Sequence, residues 1–282
     1  MKNLKKTKPP DETQIPWHPA FIEALQLELD AYKDVLQFFP ELQLTTEPLR
    51  IDCVVVKKTK EVEIKKNIGK IFRTWNIIEY KSPDDYVSVN DFYKVYGYAC
   101  FYKHLEEIPI TDLTITFVES HYPKELIKHL RKIRGYTVAE TSSGVYNING
   151  DILPIQIIDN RRLLAEDSVW LKNLDKDLSF SDIDQVSSMI AQQGKSARIG
   201  AYANAIKYAN FKTIMEKNMT LQEIDKTFFG WLDEIGYGEL FMAKLEERER
   251  QKWTQIIAEK EAKLADKDAQ IARLQAELEK RK

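Results

Sequence analysis

Asp52, Glu79 and Lys81 are the residues of this chain whose types and spacing could do chemistry. They fall in two runs rich in Val, Ile and aromatics, Leu49 to Val56 and Trp75 to Ser82, and that composition predicts strands. A charged side chain inside an apolar strand is costly unless something pairs with it. Residues i and i+2 of a strand share a face, so Glu79 and Lys81 point one way and Tyr80 the other. If the two runs pair as antiparallel neighbours, Asp52 can lie across from Glu79. Facing carboxylates repel unless one is protonated or a cation lies between them. Oxygen donors in an open site suit Mg2+ or Mn2+, and the Tyr80 carbonyl could add a further ligand. Such an ion lowers the pKa of bound water and polarises a phosphate. Lys81 beside it could orient or deprotonate water, or offset charge on a pentavalent phosphate. This is the chemistry of a metal-dependent phosphodiesterase.

The elements that must position these residues follow from periodicity. Phe21, Ile22, Leu25, Leu29, Tyr32 and Leu36 recur every three or four residues and predict a helix from Pro19 to Phe39, stopped at Pro40. Strands are expected at Leu49 to Lys57 and Lys70 to Ser82, joined by a charged connection. Ser88 or Asn90 can cap an aromatic helix running to Leu105, and Leu113 to Val118 alternates as a third strand. A short amphipathic helix spans Lys124 to Ile133, closed by Gly135. Val138 to Asn147 and Ile152 to Ile158 read as two further strands around an Asn149-Gly150-Asp151 turn. Helices are expected at Leu163 to Leu174, Ser181 to Gln193, Ala197 to Glu216 and Leu221 to Trp231. From Leu240 the chain reads as one charged helix. Ile257, Leu264, Ile271 and Leu278 recur every seven residues, but Lys260 and Lys267 weaken the second seam. This order predicts an α/β (α+β) core followed by a helical region and a long terminal helix. The expected divisions are a basic tail over 1–16, a core over 17–160, a helical region over 161–238 and the long helix over 239–282.

Bulk composition bounds the function. The chain has 282 residues, 43% hydrophobic and 30% charged, enough for one sizeable core. A net charge of −2 excludes a polybasic nucleic-acid binder, so any positive surface is local. Two cysteines, Cys53 and Cys100, make neither a disulfide framework nor a zinc spacing and point to a reducing, cytoplasmic setting. No apolar run approaches the ~20 residues of a membrane span, and no apolar segment follows the N-terminal lysines as a secretory signal would require.

Asp52, the intervening gap and then Glu79-Tyr80-Lys81 resemble the PD-(D/E)XK nuclease superfamily. The flanking Asn76-Ile77-Ile78-Glu79-Tyr80-Lys81-Ser82 and the aromatic helix from Asp91 to Tyr98 are similar to its transposase-like and recombination-promoting nucleases. The resemblance covers roughly Trp17 to Ile158. It implies a restriction-endonuclease-like core, a central mixed sheet flanked by helices, that hydrolyses DNA with Mg2+ or Mn2+ in transposition or recombination. Carried onto this chain, Asp52 and Glu79 become metal ligands and Lys81 the catalytic lysine. Many members add a glutamate from the first helix, which points to Glu28, with Glu23 second. Tyr96 falls where related nucleases put a polar helix residue near the site. The family's frequent proline before the first acid is replaced by Ile51.

Other features have blander readings. Gly194-Lys195-Ser196 lacks the earlier glycine of a phosphate-binding loop and reads as a turn. His18, His104, His121 and His129 lack zinc spacing. The aromatic stripe from Phe92 to Tyr102 is foremost a packing face, though aromatics can stack on bases. Lys128 and Arg131, with Lys132 and Arg134, form a basic helix face, and Lys57 and Lys58 lead a lysine-rich stretch that reads as lying beside the site. Either could touch a phosphate backbone. The terminal heptad could join two copies of the chain. The alternative to a nuclease is a nuclease-fold protein that binds nucleic acid or a protein partner without cutting.

Overall fold

The computed structural model describes residues 15–40, 54–193, 199–210, 213 and 238–280. Asp52, most of the basic tail, Gly194-Lys195-Ser196 and the helix expected over Leu221 to Trp231 lie outside these residues. The chain divides into two compact units, Met1–Ile214 and Met215–Lys282.

The first unit is built on a seven-stranded mixed sheet. Its strands are β1 (Leu36–Pro40), β2 (Val54–Lys58), β3 (Trp75–Tyr80), β4 (Leu113–Glu119), β5 (Thr137–Ser142), β6 (Val145–Asn149) and β7 (Ile155–Asp159), in the order β1-β2-β3-β4-β7-β6-β5. β3, β4 and β7 run parallel at the centre and antiparallel pairs close both sides. Two helices, α2 (Val89–Leu105) and α3 (Lys124–Ile133), cover one face. Ile77, Ile115, Phe117, Ile155 and Ile157 pack there against Phe92, Val95 and Ala99 of α2 and Leu126, Ile127 and Leu130 of α3. Because both faces of the central strands are covered, the residues of opposite parity are buried too, which is why these strands read as near-continuous apolar runs.

On the opposite face α1 (Trp17–Glu28) stacks Phe21 on Tyr80, with ring centroids 4.4 Å apart. α4 (Ala165–Lys172) and α6 (Gly200–Ala209) pack against α1, and α5 (Phe180–Gln192) lies between them in sequence. Polar residues on this face bond to one another: Asn76 Oδ1 accepts from Thr114 Oγ1 at 2.7 Å, and Gln156 Nε2 donates to Thr116 Oγ1 and to the Ile68 carbonyl. The 59–72 connection is thereby held over the sheet. In the second unit, α7 (Gly238–Lys280) is one long helix with Trp253, Ile257 and Leu264 exposed.

Two expectations are corrected. The helix expected to reach Phe39 ends at Glu28, and after a 3-10 turn at Asp30–Tyr32 the chain forms β1. The three-four spacing through Leu36 runs on across this turn, while Phe38 and Phe39 join a strand. Pro40, lacking an N–H, is tolerated because β1 is an edge strand of the described sheet. Where two strands were expected after Gly135 there are three. Gly144 adopts φ +76° and turns the chain between β5 and β6. A Cβ there would come within 2.5 Å of the Asp159 carbonyl, so only glycine fits.

Candidate functional site

β3 delivers the pair read from the sequence. Glu79 and Lys81 share the face that α2 covers, and the Lys81 amide continues the parallel ladder by donating to Val118 O at 2.9 Å. Glu79 is buried, and its Oε1 lies 3.3 Å from Lys81 Nζ and 3.5 Å from Lys94 Nζ on α2. Lys81 Nζ also donates to Asp91 Oδ1 at 2.8 Å and lies 3.8 Å from Asp85. Asp91 is fixed by a capping box: its amide donates to Ser88 Oγ at 3.1 Å, and its Oδ2 accepts from the Ser88 amide at 3.0 Å. The N-terminus of α2 thus aims one oxygen of Asp91 at the lysine.

This arrangement decides the state of Lys81. Burial works against its ammonium, but the Asp91 hydrogen bond and the charges of Glu79, Asp91 and Asp85 together hold its pKa above the ordinary value. Burial likewise works against the Asp91 carboxylate, and the bonds from Lys81 and Ser88 bring its pKa below the usual range. These contacts favour the ammonium form of Lys81, a hydrogen-bond donor. Glu79, Lys81, Asp85 and Lys94 line an open cleft of about 260 Å³ with Trp17, His18, Tyr80 and Ser82. His18 Nε2 is buried without a hydrogen-bond partner.

The other expected site residues are placed as follows. Tyr80 turns its ring to α1, where burial raises its hydroxyl pKa well above the ordinary value, with Asp175 and Tyr202 adding to the shift. Glu28 is buried with both oxygens engaged, Oε1 by Lys66 Nζ at 2.8 Å and Oε2 by the Trp170 amide at 3.1 Å. Burial nevertheless raises its pKa, against the Lys66 and backbone bonds. Glu23 accepts the Tyr202 amide at 2.6 Å.

The lysines of β2 are not beside Lys81. β2 runs antiparallel to β3 with Lys57 opposite Trp75, so Lys57 and Lys58 lie at the far end of β3, roughly 20 Å along the strand. Lys57 Nζ rests 4.5 Å from the Trp75 ring centroid and Lys58 lies 3.6 Å from Glu61. Tyr96 is also turned elsewhere. Its hydroxyl donates to Asp151, which precedes β7, and the Arg134 guanidinium covers its ring. Lys128 lies 3.5 Å from Glu125 on α3, and Arg131 is exposed.

Lys94, Asp91, Asp85 and His18 are the site residues that the sequence reading missed. The i, i+3 spacing of Asp91 and Lys94 places them on one face of α2 and was the available signal.

A divalent ion would need hard oxygen donors. Glu79 supplies one beside two ammonium groups, and Asp52 lies outside the described residues. Among the described residues no three His, Cys, Asp or Glu side chains are placed together to hold a metal. The donor chemistry of Glu79 fits such an ion; Glu28, with both oxygens taken, does not supply a free ligand. The chain matches no protein-family model, no curated protein and no solved structure. No helix among the described residues is long and apolar enough to cross a membrane.

Proposed function

We propose that the chain is a metal-dependent phosphodiesterase of nuclease type that acts on DNA. The observation that supports this reading is the Glu79–Lys81 pair, 3.3 Å apart on one face of a parallel strand, opening into a cleft at the strand's C-terminal end. Open α/β sheets bind ligands at that edge. The resemblance of Asp52 and Glu79-Tyr80-Lys81 to PD-(D/E)XK nucleases supports the same reading and the link to transposition or recombination.

Glu79 would hold Mg2+ or Mn2+ with Asp52 and the Tyr80 carbonyl, and the ion when bound supplies Lewis acidity toward a phosphate and its attacking water. Lys81 has three N–H groups. One is spent on Asp91, and the amine remains beside Glu79 as a donor to a phosphate oxygen. Lys94 places a second cation at the same carboxylate. Incubating plasmid with purified protein and Mg2+ or Mn2+ tests the assignment. Nicking by the wild type that is lost in Asp52→Ala and Lys81→Ala is expected; equal nicking by all three would sink it.

A second reading is a nuclease-fold protein that binds without cutting. The mutual pairing of Lys81, Glu79 and Asp91 favours it, since such a trio can be purely structural. Calorimetric titration separates the two: DNA binding without Mg2+ or Mn2+ binding would select the second. Self-association through α7, by way of exposed Trp253, Ile257 and Leu264, belongs to either reading.

A further inference from the structure

β4 and β7 both end on an acid. Glu119 and Asp159 are register partners on adjacent parallel strands, so their side chains leave the same face with backbones about 5 Å apart. Glu119 is fully buried and Asp159 is 4% exposed. Glu119 Oε2 accepts the Val87 amide at 3.0 Å. Glu119 Oε1 and Asp159 Oδ1 are buried and have no hydrogen-bond partner. An ionised carboxylate only accepts, so two of them cannot satisfy each other. One proton between them replaces a repulsion with a hydrogen bond and removes a buried charge.

The Val87 bond leads directly to the candidate site. Val87 precedes Ser88, the N-cap of α2; Ser88 and Asp91 form the capping box; and Asp91 Oδ1 holds Lys81 Nζ. Glu119 is therefore four short links from the lysine, and each link is a hydrogen bond or a peptide.

We propose that Glu119 is a positioning residue for Lys81, clamping the start of α2 from inside the fold while it shares one proton with Asp159. This rests on the phosphodiesterase reading of the Lys81 cleft. Burial pushes the Glu119 carboxyl up to about 8; the Val87 amide and Lys81 oppose this, and Asp159 and Asp85 add to it. Burial also raises Asp159, against the charge and amide of Arg162, the His121 charge and the Arg161 amide. The charged and titratable groups facing the pair are thus Lys81 and Asp85 after β3, His121 after β4, Tyr146 on β6, and Arg161 and Arg162 after β7. Lys124 and Glu125 at the start of α3 line the same cleft as Glu119.

The sign follows from the folded pKa lying above the ordinary 4.5. The stability conferred by the shared proton is complete below 4.5 and is lost as pH rises through about 8. Glu119→Gln keeps an acceptor for Val87 and gives Asp159 a permanent donor. Wild type, Glu119→Gln and Glu119→Ala are compared in two assays. The first is the melting temperature across neutral to alkaline pH. The second is labelling of Lys81 by an amine-reactive reagent at neutral pH, scored against exposed lysines by peptide mass spectrometry. The wild type should lose melting temperature as pH rises through about 8, and Glu119→Gln should not. Lys81 labelling should rise several-fold in Glu119→Ala and stay at the wild-type rate in Glu119→Gln. A wild-type pH slope in Glu119→Gln, or unchanged labelling in Glu119→Ala, would overturn the proposal. Failure of every chain to nick plasmid would sink the phosphodiesterase reading instead, with melting and labelling still deciding the clamp.

Discussion

Lys81 Nζ and Asp91 Oδ1 are 2.8 Å apart, joining the end of a central strand to the first turn of the helix that follows it. This bond ties the charge state of the candidate catalytic lysine to a helix cap. Asp91→Ala removes the acceptor and half of the capping box together. It is expected to lower the Lys81 pKa and to cost about 1–2 kcal/mol of stability in denaturant unfolding, the usual loss for a cap. Asp91 has a folded pKa below its ordinary 3.8, so its contribution is complete above that value and is lost as pH falls through the folded one. The acid limb of the wild-type stability profile should flatten in Asp91→Asn.

Removing either member of the Glu79–Lys81 pair should abolish plasmid nicking. A loss of about 100-fold or more is expected for Lys81→Ala, on the scale of deleting a donor that meets transition-state charge. Lys81→Arg should recover little, because a planar guanidinium does not reproduce the geometry of the ammonium. Single-turnover rates at saturating Mg2+ would show this.

Glu28 should act on stability and leave metal binding alone. Its carboxylate is buried against Lys66 and the Trp170 amide. Lys66→Ala strands it without its cation and should destabilise by about 1–3 kcal/mol, the cost of a buried acceptor losing its partner. Calorimetric Mg2+ affinity should be unchanged in Glu28→Gln. A tenfold weaker affinity would return Glu28 to the ligand set.

Gly144→Ala should be among the most damaging single-methyl changes in the first unit. The position has φ +76°, and the new Cβ would stand 2.5 Å from the Asp159 carbonyl. The left-handed backbone alone costs about 1–2 kcal/mol for an alanine. The clash adds to this, because the Asp159 amide is bound to Gly144 O at 2.8 Å and cannot drift away. Thermal unfolding monitored by circular dichroism would measure the loss.

The strands β3 and β4 and the helices α2 and α3 were legible because each carries a complete local signal. α3 has an apolar stripe of Leu126, Ile127 and Leu130, and α2 has Ser88 and Asp91 at capping-box spacing. β1 was hidden, since its five residues continue the spacing of the preceding helix and acquire strand geometry only by pairing with β2. β5 and β6 were merged because a two-residue turn at Ser143-Gly144 leaves little trace between two alternating runs.

The sequence by itself determined that Glu79 and Lys81 share a face, because a strand repeats every two residues. It equally placed the start of α2 at a cap on Ser88 or Asn90; the structure selects Ser88, whose side chain and that of Asp91, three residues on, form a capping box. Only the tertiary structure decided what meets them there. The direction of β2 removes Lys57 and Lys58 from the site, the packing of α2 brings Asp91 and Lys94 into it, and the parallel pairing of β4 with β7 sets Glu119 against Asp159. Those relations join residues dozens of positions apart. Strand order and helix docking create them, and no local period records either.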